Sequence, residues 1–243
     1  PLYYAVNASG LAFASRPRAL LAWPGVSSEV NRKFVATFAA SHYRYFDNDP
    51  HASPFADIAQ LPASHVLSLK RGVIQKARYW QLVESEDFNE PEEQLAERYR
   101  ELLLNAVAIR YQVANQPTFT LSGGMDSSSV LACAVQHSGQ KQHAFSTVYE
   151  DKTYDESDDI RTILEKAVEQ WHTVLLGTPN VVDVVTRMIE AHDEPVATAT
   201  WLSHYLLCQD VANKGFGGLF GGLGGDELNA GEYEYFWHHF ENF

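Results

Sequence analysis

The chain has 243 residues, 45% hydrophobic and 20% charged, which suits one large globular domain or two modest ones. Its formal charge of −13, with no basic stripe, argues against a nucleic-acid partner, because phosphate neutralisation dominates such binding. No apolar run reaches the roughly 18 residues of a membrane span, the first ten residues lack the pattern of a leader, and two cysteines (Cys133 and Cys208) make no disulfide framework, so a cytoplasmic protein without a membrane partner is expected.

Leu2–Val6 and Leu11–Ser15, joined by Asn7-Ala8-Ser9-Gly10, read as a β-hairpin. A helix is expected from about Ser28, with Val30, Phe34, Val35 and Phe38 on one face. Pro50, Pro54 and Pro62 punctuate a loop, and a second hairpin pairs His65–Leu69 with Val73–Trp80 across a turn at Arg71-Gly72. The polar stretch from Glu84 to Pro91 reads as a linker, dividing the chain into 1–85 and 86–243.

Beyond it the rhythm changes. A helix from Pro91 to Val113 places Leu95, Tyr99, Leu102, Leu103 and Ala106 at helical spacing. Strand Thr118–Leu121, helix Ser127–His137, strand His143–Val148, helix Asp158–Gln170 and strand His172–Leu176 follow. Helices Val181–Ala191 and Thr200–Lys214 and strand Phe216–Phe220 complete the series. Alternation of short strands with longer helices predicts an α/β fold, a parallel sheet with helices on both faces. Such sheets bind ligands beyond the carboxyl ends of their strands, here Leu121, Val148 and Phe220. The acidic run Glu150, Asp151, Asp155, Glu156, Asp158 and Asp159 reads as a solvated loop and the acid-rich first turn of a helix.

Two loops carry the chemistry. Leu121 leads into Ser122-Gly123-Gly124-Met125-Asp126-Ser127 and a helix. Paired glycines let the backbone turn sharply and present N–H groups, and the helix N-terminus adds positive potential, so the loop is an anion cradle. There is no GxxxxGK[ST], which separates it from the γ-phosphate hydrolases. A carboxylate within such a cradle repels phosphate unless a cation lies between, so Asp126 implies Mg²⁺. The alternative is a turn in which Asp126 merely caps the helix. The second loop, Gly221-Gly222-Leu223-Gly224-Gly225-Asp226-Glu227-Leu228, also follows an apolar strand. Its glycine density points to close approach of a ligand, with Asp226 as a second Mg²⁺ ligand and Glu227 as a cap or secondary ligand; the alternative is a flexible surface loop.

The two loops together resemble the ATP-pyrophosphatase domain of asparagine synthetases, whose motifs read SGGxDS and, nearly, SG(D/E)G(G/S)DE. Asp193-Glu194-Pro195 resembles the same family, and Leu2–Ala5 with Leu11–Leu21 is similar to the closing hairpin of its glutaminase domain. The resemblance implies an adenine nucleotide alpha hydrolase-like domain preceded by part of an α+β N-terminal nucleophile hydrolase. It implies that Leu121, Ser122, Gly123, Gly124, Asp126, Ser127, Thr147, Gly221 and Gly222 hold ATP, and that Asp126 and Asp226 hold Mg²⁺. The implied reaction is adenylation of a carboxylate, with aspartate the default, release of pyrophosphate, and attack by glutamine-derived ammonia. A homodimer is the candidate assembly.

Departures from the pattern bound that expectation. The family's serine is Gly221 here, its acid is Leu223, and its phenylalanine-glycine pair is Asn229-Ala230. An amide ligase or cyclase acting on another carboxylate is therefore one alternative, and a catalytically silent nucleotide-binding relative another. The family's amino-terminal cysteine and downstream lysine have no counterparts, so the chain reads as a piece of the enzyme with no catalytic residue of its own, inactive alone. The pair His238-His239 points in divergent directions on a helix. The cluster Tyr233, Tyr235, Phe236, Trp237 and Phe240 reads as core rather than as a base-stacking platform.

Overall fold

In the computed structural model, β1 (Leu2–Asn7) and β2 (Gly10–Ala14) form the expected antiparallel hairpin, with Asn7 opposite Gly10. Residues 1–41, 49–83, 90–151, 153, 157–177, 180–198, 200–231 and 234–241 are described, so the linker residues 84–89 and Tyr233 lie outside them. α1 (Pro17–Leu20) opens on a proline, whose missing N–H costs nothing at a helix start. α2 (Arg32–Ala40) begins later than its apolar spacing suggests. Asn31 caps it by accepting the Phe34 N–H at 3.1 Å, while Val30 stays extended in a bridge with Phe55. β3 (Ala59–Leu61) adds to the free side of β1 and was not legible, being three residues among prolines. β4 (His65–Lys70) and β5 (Val73–Arg78) form the second hairpin. Its turn residues, Arg71 and Gly72, both have positive φ, the backbone that matches strand twist in a two-residue turn.

α3 (Glu92–Val113) precedes β6 (Pro117–Thr120), α4 (Met125–Ser138), β7 (Gln142–Tyr149), α5 (Ser157–Ala167) and β8 (Val168–Leu176). α6 (Val181–His192), α7 (Thr200–Asn213), β9 (Gly218–Phe220), α8 (Gly225–Asn229) and α9 (Glu234–Glu241) follow. The acidic run falls partly outside the described residues, but its helix does begin nearby, at Ser157. The expected helix over 158–170 stops at Ala167, because residues 168–170 enter β8 beside the start of β7.

Two units result: Pro1–Asp87 with Val182–Ala199, and Phe88–Val181 with Thr200–Phe243. In the first, Tyr3 and Ala5 alternate inward from β1 onto Leu20 and Ile58. The second is the α/β layer structure, a four-stranded parallel sheet in the order β8-β7-β6-β9. Successive residues of β7 serve opposite faces. Ala144 packs with Phe119, Leu131, Val107 and Ile160 beneath α3, α4 and α5, whereas Phe145 packs with Leu207 and Val211 of α7. Helices thus cover both faces.

On the α7 face, His172 stacks on Phe145 with ring centroids 4.4 Å apart and meets Phe216 edge-on at 5.9 Å. Its Nε2 is 3.3 Å from Nδ1 of His143. Burial pulls the His172 pKa below its ordinary value, His143 and Lys214 add to this, and Asp210 acts in the opposite sense. The unfolded chain therefore takes up the proton first. Stability is complete above about pH 6.5, the ordinary histidine value, and declines as pH falls through it. Urea denaturation should show stability falling between about pH 7 and 5, and His172→Gln should flatten that slope. Equal slopes in the two proteins would exclude His172 as the source.

Candidate functional site

β6 lies between β7 and β9. The chain runs from β6 outward to β7 and β8, then returns to the opposite side of β6 for β9. That reversal is a topological switch point, where the loops leaving adjacent strands diverge and leave a crevice. Phe119 is opposite Phe220, so the two glycine-rich loops emerge side by side.

The first loop is tied to the sheet and to itself. Leu121 donates its N–H to the Phe145 carbonyl at 2.8 Å, and its own carbonyl accepts from the Ser146 hydroxyl. Trp171 Nε1 donates to that same hydroxyl at 2.8 Å. The Leu121 side chain is buried in the core, so what it presents to the crevice edge is backbone. Ser127 is buried, and its hydroxyl accepts the Ser122 N–H at 3.1 Å and lies 2.9 Å from the Ser122 hydroxyl. Ser122 Oγ in turn accepts the Gly124 N–H at 3.2 Å. The two serines therefore lock the turn that aims α4. Gly124 is the N-cap of α4 and supplies no side-chain acceptor, so the cap leaves the first-turn N–H groups to whatever lies beyond the loop.

The second loop closes onto the first. A Cβ on Gly222 would lie 2.6 Å from the Ser127 amide nitrogen and 2.8 Å from Asp126, and one on Gly225 would overlap the Asp126 carboxylate. A Cβ on Gly221 would lie 3.0 Å from the Thr120 hydroxyl. Gly224 has φ 92, and the loop is tied by Gly225 N–H to the Gly222 carbonyl at 3.1 Å. Asp226 turns toward Gly231, whose N–H bonds its carbonyl at 2.9 Å. Asn229 bonds the Tyr99 hydroxyl of α3 at 3.1 Å. Thr147 lies on β7 past the last β6 pair, Thr120 with Phe145, and so stands at the same end of the sheet.

The fold thus gathers Leu121, Ser122, Gly123, Gly124, Asp126, Ser127, Gly221 and Gly222 at one edge, with Thr147 on the neighbouring strand. Among the described residues no three His, Cys, Asp or Glu side chains assemble as a metal-binding group. Met125, Leu223 and Leu228 are large apolar side chains exposed around the paired loops, Leu223 at 87%. Gly225 was not singled out from the sequence. Glycine density flagged the loop, but only the fold shows which glycine lies against Asp126.

The two close approaches make different demands. At Gly222 an added methyl meets backbone, which cannot step aside, whereas at Gly225 it meets the end of a short side chain. Gly222→Ala should separate the loops with the α/β core intact and, where the loops hold ATP as the resemblance implies, abolish that binding. Gly225→Ala should leave the loops together but displace Asp126, which on the same implication weakens ATP binding mainly when a divalent cation is present. Calorimetric titration with ATP, with and without Mg²⁺, distinguishes them. Unchanged affinity in Gly222→Ala would remove the paired loops from nucleotide binding.

Residues 98–242 match the family model "Asparagine synthase" and residues 1–80 match "Glutamine amidotransferase domain". Asparagine synthetase (glutamine-hydrolyzing) 3 of Bacillus subtilis is 27% identical over 98% of this chain and 40% of its own length. A Methanocaldococcus jannaschii protein provisionally assigned as asparagine synthetase (glutamine-hydrolyzing) 2 is 25% identical over 95% of this chain and 44% of its own length. The chain therefore spans less than half the length of these curated relatives. Among solved structures, the NH3-dependent NAD synthetase of Campylobacter jejuni aligns over 54% of this chain and 58% of its own, with a TM-score of 0.37 and 13% identity. The asparagine synthase match covers more than half of the chain and includes both glycine loops, and on that ground the chain belongs to the asparagine synthase family.

Proposed function

We propose that the paired loops bind ATP and that the protein acts as an ATP-dependent amide-forming ligase of the asparagine synthetase type, working in the cytoplasm on small molecules. The observation that carries this reading is the approach of Gly222 to the Ser127 amide, which brings the two loops into one cradle at the switch point. In this reading Leu121 main chain, Ser122, Gly123, Gly124, Asp126 and Ser127 hold the phosphates, Thr147 lies beside the adenine, and Gly221 and Gly222 close over the nucleotide. A substrate carboxylate attacks the α-phosphorus, pyrophosphate leaves, and glutamine-derived ammonia displaces AMP from the acyl carbon. Oriented N–H groups stabilise charge as it develops on the phosphate oxygens.

Asp126 and Asp226 would hold Mg²⁺. Asp126 fits such an ion, being a hard oxygen ligand at the meeting of the two loops, whereas the Asp226 carboxylate is turned toward Gly231 and its part rests on the family resemblance. When bound, the ion would neutralise the phosphates beside the Asp126 carboxylate. Asp126→Asn should reduce substrate-dependent pyrophosphate release by at least about a hundredfold, the scale of one lost electrostatic contact to developing charge, with the fold retained. Near-normal turnover at saturating Mg²⁺ would remove Asp126 from the reaction, and no pyrophosphate with any carboxylate would favour a silent nucleotide-binding relative.

Aspartate is the default acyl substrate, with a different carboxylate as the second reading. Leu223 favours the second: it is exposed beside the cradle, is apolar, and cannot accept a proton. General-base assistance is worth roughly 10²–10⁴-fold, so an enzyme selected for rapid attack by ammonia would rarely discard it. Pyrophosphate release by the full-length protein across a panel of carboxylic acids, with ammonia as the amine, decides between them. Preference for a less polar acid, weakened by Leu223→Ala, supports the second reading. Fast release with aspartate, indifferent to Leu223→Ala, supports the first.

A further inference from the structure

Asp193 follows the last residue of α6 in left-handed backbone, φ 62, with its N–H on the Ile189 carbonyl at 2.8 Å. Glycine or asparagine usually fills that position, and a carboxylate there faces the negative end of the helix dipole. Asp193 goes against both preferences, and its side chain is wholly buried. Arg16 answers with a fork, Nε at 3.1 Å and Nη2 at 2.7 Å to the two carboxylate oxygens. Arg18 adds its backbone N–H at 3.2 Å and an ion pair at 3.1 Å. Arg16 Nη2 also bonds the Glu190 carbonyl at 2.6 Å, satisfying the same helix end. The next residue, Glu194, accepts the phenol of the buried Tyr3 on β1. Burial pushes the Asp193 carboxyl up, but the Arg16 and Arg18 hydrogen bonds and charges outweigh it and hold it below the usual carboxylate range.

A strained residue persists only where its surroundings over-determine it. Here those surroundings come from a different part of the chain. Asp193 and Glu194 lie within the asparagine synthase match, whereas Tyr3, Arg16 and Arg18 lie within the glutamine amidotransferase match. Yet Val182–Ala199 belongs to the same compact unit as Pro1–Asp87. We propose that segment 182–199 is a clasp by which the synthase part of the chain grips the amidotransferase-type part, that Asp193 is its anchor, and that Arg16, Arg18 and Tyr3 are its receiving surface.

The test uses the full chain with a protease site introduced after Val83, cut after folding, and the two pieces followed by sedimentation velocity across a dilution series. The cut wild type should sediment as one species. Asp193→Asn and Arg16→Gln should each weaken association by about tenfold or more, the scale of a lost charge-assisted hydrogen bond. The double variant should be little worse than the more damaging single one, because both remove the same contact. Arg16→Lys, which keeps the charge but loses the fork, should fall between and serves if Asp193→Asn does not fold. Amide protection of β6 and β7 in the uncut variants should match the wild type, as a general loss of stability would not allow. Pieces that separate without any substitution, variants that associate as tightly as wild type, or additive effects would each overturn the proposal.

Discussion

β9 pairs with β6 rather than continuing the sheet beyond β8, and the rest of the candidate site depends on that choice. Its three residues bring a loop from late in the chain alongside one from its middle. A longer strand would change little, but a partner other than β6 would leave each glycine loop as an isolated turn. Gly217 protects the arrangement, since a Cβ there would lie 2.8 Å from the Asn115 carbonyl on the approach to β6. The glycines on both sides of β9 thus serve close approach of backbone to backbone, before any ligand is considered.

The α/β unit was legible because its strands are short, apolar and separated by helices with a clear period. The first hairpin and the Arg71-Gly72 turn were legible from their turn residues, whereas which residues of β1 face inward came only with the fold. Other features were invisible because their causes are not local. β8 captures residues 168–170 from the expected helix because a parallel neighbour offers hydrogen bonds there. α2 begins late because Asn31 has a carbonyl partner, Pro54, that only the fold brings near. β3 has too few residues to show a period.

The candidate site divides in the same way. Glycine runs and the acidic residues after them mark where a loop will turn, and that is a property of the chain itself. Which hydroxyl locks the turn is not. Ser122 and Ser127 read alike in sequence as phosphate donors, yet both hydroxyls are also bonded inside the loop, so they set the shape of the cradle as well as facing what it holds. The contact between Gly225 and Asp126 was out of reach because it joins residues whose proximity exists only after β9 has paired.

The membership of residues 182–199 in the first unit bears on inheritance. Two family matches meet near residue 90, which invites the view that each half could be passed on or recombined independently. A crossover there would separate Asp193 from Arg16, leaving a buried acid without its cations and a helix end without its cap. Descendants of such a crossover would inherit the parts of a fold without the means to close it. With the clasp as proposed, hairpin, turn and returning segment form one discontinuous unit, so changes at residues 16, 18 and 193 are expected to travel together.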